Sequence, residues 1–527
     1  MNLFRLQLTL LVSLALSLVN LPGAIAQSED LGEIDFPTSG AAVAQASFVH
    51  GVLLLHSFEY KDAAAAFREA QKLDPDFAMA YWGEAMTYNH PIWNQRDREG
   101  ALAVLRRFGA SAKERAAKAP TEREKDYLNT LEILYADGDK VERDQAYSAA
   151  LKSLTEKYPE DLEAASFYAL SILGTAQGVR DFRTYMRAAA IVEDVFEKNP
   201  RHPGAAHYLI HSVDDPIHAP LGLKAARAYA DIAPDAPHAL HMPSHIFMAL
   251  GMWDESASSN EASEAAAIKK GQSGLHATWW LHYSYLQQGR YAAATALLKR
   301  THVRLGQNPN QSEQRHLAYM HAAHLVETLG RNAIAGVQIP PIAELPAKLA
   351  ASLLLAQGLA ALEKEAISEA HDLLQQLHEK LAADVPDEKT GGWRQVVEQE
   401  FQAAIRLRSG ETEAALASMQ HAARLQEALT FEFGPPFPVK PVHELLGEML
   451  LKQKRFSAAA KAFRHSLERN AKRARSLLGL ARALAGAGDL PGSRATYTVL
   501  ARIWHRADTD LSDLGEVRAN VSGLGSH

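Results

Sequence analysis

Two short stretches, "HYLIH" at 207–211 and "HMPSH" at 241–245, each hold a pair of histidines four residues apart. On a helix that spacing puts both imidazoles on one face, with Cβ atoms roughly 5–6 Å apart. Two such pairs supply neutral nitrogen donors, a set that suits Zn, Cu, Fe or Ni. His207, His211, His241 and His245 are therefore the candidate metal ligands. Asp214 and Asp215 follow the first pair and offer an oxygen ligand or an outer hydrogen-bond partner, with His218 and His238 in reserve. Asp214 is also a candidate catalytic base for water or oxygen activated on a metal. Neither pair is the HExxH of a zinc protease, because Tyr208 and Met242 stand where the glutamate would be. Pro243, inside the second pair, either kinks its helix or opens it, and opening it would leave His241 in the preceding loop.

The two pairs lie 34 residues apart, which is the period of a tetratricopeptide repeat. The rest of the chain carries that frame. In 48–76, small Gly51 precedes Tyr60, Ala63, Phe67, Ala70 and a closing Pro75. Leu281, Tyr285, Gly289, Tyr291 and Ala294 repeat the pattern, as do Gly447, Phe456, Ala459 and Phe463, and then Leu480, Gly488, Leu490 and Tyr497. Alanine-rich amphipathic runs dominate and alternating β-branched runs are nearly absent. The expected fold is all-α, a right-handed helix-turn-helix solenoid whose repeats contact mainly their neighbours.

The chain has 527 residues, a net charge of −7 without a basic block, and no cysteine. Nucleic-acid binding is not expected. A metal site without thiolates must use His, Asp, Glu or Met. Residues 1–26 read as a secretory signal: Arg5, the apolar LQLTLLVSLALSLV, and Ala24-Ile25-Ala26 before Gln27. This implies export to the periplasm or beyond, with no transmembrane anchor after cleavage. The expected division is a repeat array with a histidine-lined groove at 27–336, an irregular helical segment at 337–440, C-terminal repeats at 441–510, and a tail at 511–527. Pro-rich or polar breaks at 337–346, 383–392 and 433–441 are hinges or loops folded over the groove.

The chain resembles a group of exported bacterial tetratricopeptide-repeat proteins. The matching stretches are "DPDFAMAYWGEAMTYNHPIW" (74–93), "HPGAAHYLIHSVDD" (202–215), "APHALHMPSHIFMALG" (236–251) and "KPVHELLGEMLL" (440–451). The resemblance implies the fold and carries no activity.

In such an array the first helix of each unit lines the concave groove. Counting from the small helix residue puts His207 and His211, then His241 and His245, at equivalent groove positions. The same count places His276, Trp279 and Tyr283 in the next groove helix, then Met320 and His324, so imidazoles form a stripe beside Trp, Tyr and Met. Methionine would tilt the metal towards copper. Trp82, Asn89, His90 and Trp93 form an aromatic and polar group that could wall the N-terminal end of the groove. Glu444 and Glu448 fall in the groove further along and are candidate acid–base residues, with Arg475 and Arg482 as expected ion-pair partners. There is no phosphate loop, nucleophile elbow or Rossmann fingerprint. Two readings follow: an exported scaffold whose groove binds a peptide, protein or small molecule, or a Cu, Zn or Fe protein, enzyme or carrier, centred on the four histidines.

Overall fold

The computed structural model describes residues 29–176, 180–306, 309–329, 339–384 and 391–521. The expected leader at 1–26 lies outside the described residues, as do parts of the breaks at 337–346 and 383–392 and the end of the tail.

Antiparallel helix pairs build the chain. Ala42–His56 pairs with Tyr60–Leu73, Leu275–Gln287 with Tyr291–Leu305, and Val442–Lys452 with Phe456–Arg469. Three residues join the helices of each pair, and the middle one takes the left-handed conformation. It is glycine at Gly289 (φ 67°), Gly410 (φ 86°) and Gly488 (φ 87°), where glycine has no Cβ penalty. At Phe58 a bulky aromatic holds the same position with φ 56°, an uncommon placement for a large side chain.

The repeat frame has a packing cause. Phe67 on a second helix fills the space between two first helices at Gly51 and Gly83, where an added Cβ would stand 2.8 and 2.3 Å from its ring. Phe463 does the same between Gly447 and Gly479, at 2.9 and 2.2 Å. Small–aromatic–small over consecutive helices sets the spacing between units, and the chain is an all-α tetratricopeptide-type solenoid. Among the described residues the one sheet is a short antiparallel ladder, Asn89–His90 with Gln95–Arg96.

The solenoid departs from the neighbour-only expectation because it closes on itself twice. Helix Ala42–His56 meets helix Pro203–Val213: Tyr208 Oη donates to His56 Nδ1 at 2.9 Å, and His207 Nδ1 donates to the His56 carbonyl at 2.6 Å. The extended segment before Ala42 straps this closure, with Glu33 N–H on the Arg201 carbonyl at 3.0 Å and Ser39 N–H on Glu124 at 2.7 Å. Further along, Trp504 Nε1 donates to the Gln287 carbonyl at 3.1 Å and Asp508 N–H to the Gly289 carbonyl at 3.0 Å. The per-unit rotation of stacked helix pairs brings distant units face to face.

The stretch expected to be an irregular helical segment, 337–440, holds two long pairs: Ala347–Glu363 with Ile367–Ala382, and Trp393–Arg408 with Thr412–Glu427. One apolar core runs from Leu31 to Phe247 and the next from Met248 to Leu484. The core therefore divides inside helix Pro243–Ala249. No helix among the described residues is long and apolar enough to cross a membrane.

Candidate metal centre

Helix Pro203–Val213 carries the first histidine pair. His202 caps it, its Nδ1 accepting from Ala205 N–H at 3.1 Å, and Pro203 opens it with a preset φ. The second pair straddles a break, because Pro243 has no N–H to continue the run and instead opens helix Pro243–Ala249. His241 is the last residue of the short helix Pro237–His241, so it stays helical rather than moving into a loop. The break does not separate the pair: the His241 and His245 ring centroids are 5.0 Å apart, against 4.9 Å for His207 and His211.

All four imidazoles are buried in one cluster, with His211 and His245 centroids 5.3 Å apart. His238 and His276 complete it, at 4.9 Å from His207 and 4.6 Å from His241. Outer partners fix the proton positions. His207 Nδ1 meets the His56 carbonyl at 2.6 Å, His241 Nδ1 meets Asn260 Oδ1 at 2.6 Å, and His245 Nδ1 meets Asp214 Oδ2 at 2.8 Å. The Asn260 amide is itself oriented, its Nδ2 donating to the Ser256 carbonyl at 2.8 Å. These oxygens only accept, so each imidazole carries its proton on Nδ1 and turns the Nε2 lone pair inward.

The inward nitrogens then face one another. His241 and His245 Nε2 are 3.1 Å apart, His207 and His238 Nε2 are 3.2 Å apart, and the buried His211 Nε2 has no hydrogen-bond partner. The His241 and His245 lone pairs, both Nδ1 atoms being engaged, repel at that distance unless a proton or cation lies between them. Ligands on a tetrahedral ion with metal–nitrogen bonds of about 2.0–2.1 Å stand about 3.3–3.4 Å apart, close to both separations. Burial, then the neighbouring imidazoles, hold His207, His238, His241 and His276 well below the ordinary histidine pKa, which keeps them neutral and able to ligate. Burial would raise the Asp214 carboxyl, but the Arg180 guanidinium, the nearby His211 and the hydrogen bond from His245 outweigh it and hold Asp214 ionised. Arg180 bridges Asp214 and Asp215.

Another histidine–carboxylate group, His56, Glu163 and His202, is internally complete. Glu163 takes His56 Nε2 at 2.6 Å and His202 Nε2 at 3.0 Å, while the two Nδ1 atoms accept from Tyr208 Oη and Ala205 N–H. With every imidazole nitrogen engaged, this net supports the His56 carbonyl that orients His207.

The other residues singled out in the sequence divide. His90 stacks on Tyr60 at 3.9 Å between centroids, and the aromatic group runs through Phe58 to the cluster, Phe58 lying 4.2 Å from His207 and Trp93 6.2 Å from His238. Asn89 Oδ1 accepts from Arg96 Nε at 3.0 Å, which staples the short ladder. Trp82 is in the core, edge-on to Phe36, Tyr127 and Phe167, and walls no groove. Trp279 stacks on Tyr319 at 4.4 Å beside His276. His324 stands apart with His282, 3.3 Å between ring nitrogens, near a second contact of His302 with His321 at 2.9 Å. Met320 is in the core.

Tyr283, expected in the groove, hydroxyl-bonds to Arg473 at 2.6 Å inside a buried ion network. Arg473 pairs there with Glu327 at 2.5 Å and with Glu444 at 2.7 Å, and Glu444 also takes Lys440 at 2.9 Å. Glu444 is thus fully enclosed and neutralised by cations, which removes it from acid–base work in an open groove. Glu448 meets Lys440 at 2.7 Å and Arg475 at 3.6 Å. Arg482 turns to Glu516 and Asp513 instead of the expected glutamates.

A cavity of ≈ 410 Å³ adjoins the cluster, with His238, His241, His276, His316, Glu59 and Asn310 among its lining residues. Among the described residues no lysine or arginine lines it. The Pro-rich segment at 433–441 folds over the site: Phe433 stacks on His245 at 5.3 Å, and an added Cβ on Gly434 would stand 2.7 Å from Trp280. Sequence reading gave no sign of Phe58, Asn260, Arg180 or Glu59. The positive φ of Phe58 becomes visible only in three dimensions, although its place in a turn that elsewhere holds glycine was legible in the repeat frame.

No protein-family model matches the chain, and no curated protein matches it in sequence. Among solved structures it is similar to the human IFIT1 dimer with m7Gppp-AAAA, at 14% identity and TM-score 0.35, over 90% of this chain and 92% of that one. It is also similar to the APC/C hetero-tetramer Cut9-Hcn1, at 12% identity and TM-score 0.32, over 92% of this chain and 78% of that one.

Proposed function

We propose that this protein is a repeat scaffold built around a buried polyhistidine transition-metal centre, which acts on or holds a small molecule admitted through the adjoining cavity. The observation that carries this reading is the 3.1 Å approach of His241 and His245 Nε2 while both Nδ1 atoms are engaged by accepting oxygens. Pinning Nδ1 and aiming Nε2 inward is what a histidine ligand requires. An all-imidazole donor set suits copper, zinc or iron(II). The cavity, lined by carboxylate and amide groups and by no lysine or arginine among the described residues, suits passage of a metal ion and a neutral or cationic small molecule.

Metal analysis of full chain purified without a tag tests this. At least one first-row ion per chain is expected, retained through gel filtration and lost in a His241→Ala/His245→Ala variant that keeps its helical circular dichroism. Protein that is metal-free as isolated and takes up neither Cu, Zn nor Fe on loading would overturn the reading.

A further inference from the structure

We infer that the cluster is built for two metal ions side by side, one held by His207, His211 and His238 and the other by His241, His245 and His276. This rests on the metal reading above and deepens it. In each trio the ligand atoms all lie within 4.8 Å of one another. Each trio also contains one close Nε2 pair, His207 with His238 at 3.2 Å and His241 with His245 at 3.1 Å.

A single tetrahedral ion takes four ligands. It would leave half-buried His238 and His276 outside the coordination sphere, although each stands against a close partner within its own trio. Two ions use all six and leave each ion an open position. The trios meet at His211 and His245, whose rings stand perpendicular at 85°. One carboxylate oxygen serves both sides: Asp214 Oδ2 lies 2.8 Å from His245 Nδ1 and 3.6 Å from His211 Nδ1. A shared outer anchor for one ligand of each trio couples the two positions mechanically.

Charge narrows the metal. All six donors are neutral, and the one carboxylate at their junction is engaged by Arg180. Two divalent ions would therefore need an anionic bridge from solvent, whereas two cuprous ions would not. Copper accepts imidazole donors, and as the monovalent ion it fits this neutral set without added negative charge. His238 and His276 line the cavity from opposite trios, so a small ligand entering there reaches both ions.

The test is copper stoichiometry on the full chain. Wild type, His238→Ala and His276→Ala proteins are loaded anaerobically with Cu(I) against a competing chelator, and copper per chain is measured with X-ray absorption at the copper edge. Two ions are expected in wild type with a copper neighbour in the absorption data. One ion and no copper neighbour are expected in each single variant, and that retained ion also reports that the variant is folded. Wild type saturating at one ion overturns the paired site and leaves the metal reading standing. No copper uptake overturns the paired copper site, and the metal reading falls with it only where zinc and iron are refused as well. Two ions in both variants puts the second ion elsewhere, which also overturns the inference.

Discussion

His245 Nδ1 donates to Asp214 Oδ2 at 2.8 Å, and Asp214 in turn is clamped by Arg180. That chain of contacts sets which nitrogen of His245 carries the proton and so which one faces His241. Outer hydrogen bonds of this kind are worth about 10–100-fold in metal affinity. Asp214→Asn should weaken copper or zinc binding by about that factor in a chelator competition, with helical content unchanged. Wild-type affinity in that variant would separate Asp214 from the site.

Protonation should oppose both folding and metal uptake below neutral pH. Burial depresses His207, His238, His241 and His276 well below their ordinary value, and His321 to about 3. The unfolded chain binds these protons near pH 6.5 and the folded one does not, so stability is complete above about pH 6.5 and falls as pH drops below it. Glu400 works the other way: burial without a hydrogen-bond partner raises its carboxyl, so its contribution falls as pH rises above the ordinary glutamate range. Thermal melts of metal-free protein should show Tm dropping steeply between pH 7 and pH 5, because the depressed imidazoles outnumber Glu400 and Glu59, the carboxyls that burial raises. A flat profile over that range would contradict the neutral buried cluster.

Phe58 combines a left-handed backbone with a ring 4.2 Å from His207. Phe58→Ala should cost about 3–5 kcal/mol by emptying that space while keeping the strained backbone. Phe58→Gly should be the more stable of the two by about 1 kcal/mol, reversing the usual Ala–Gly order, since glycine adopts positive φ freely. Denaturant melts of the pair read the order directly.

Arg473 pairs with both buried Glu327 and Glu444, whereas Lys440 pairs with Glu444 and Glu448. Arg473→Met should destabilise the fold by about 3–5 kcal/mol by stranding carboxylates in the interior. Metal content should be unchanged, because this network lies with Tyr283 and Glu444 and shares no contact with the six histidines. Loss of metal in a folded Arg473→Met protein would show coupling between the two sites.

The solenoid frame depends on space for Phe463. Gly479→Ala places a Cβ 2.2 Å from its ring, an overlap neither helix can absorb without shifting. A loss of about 1–3 kcal/mol is expected in urea melts, against little change for Gly515→Ala, whose added Cβ meets nothing within 4 Å.

The period was readable because it is local chemistry: a small residue, an aromatic and a turn recur where one helix pair packs on the next. The equivalence of His207 with His241 and of His211 with His245 followed from that period, since helical spacing alone puts each pair on one face. The Pro243 break was also legible, though only the structure shows that His241 keeps its aim through it.

The register failed at Tyr283 and Glu444. Groove positions face solvent only while the superhelix stays open, and here the units around Gln287 and Arg473 close on each other and bury those side chains. For the same reason no spacing could reveal His56 under His207, Asn260 behind His241 or Phe433 over His245. Sequence by itself determined the helix pairs, their packing code and the donor type. Tertiary closure decided what backs and covers the imidazoles, as with His56 under His207 and Phe433 over His245, because contacts between residues far apart in the chain depend on the summed rotation of every unit between them.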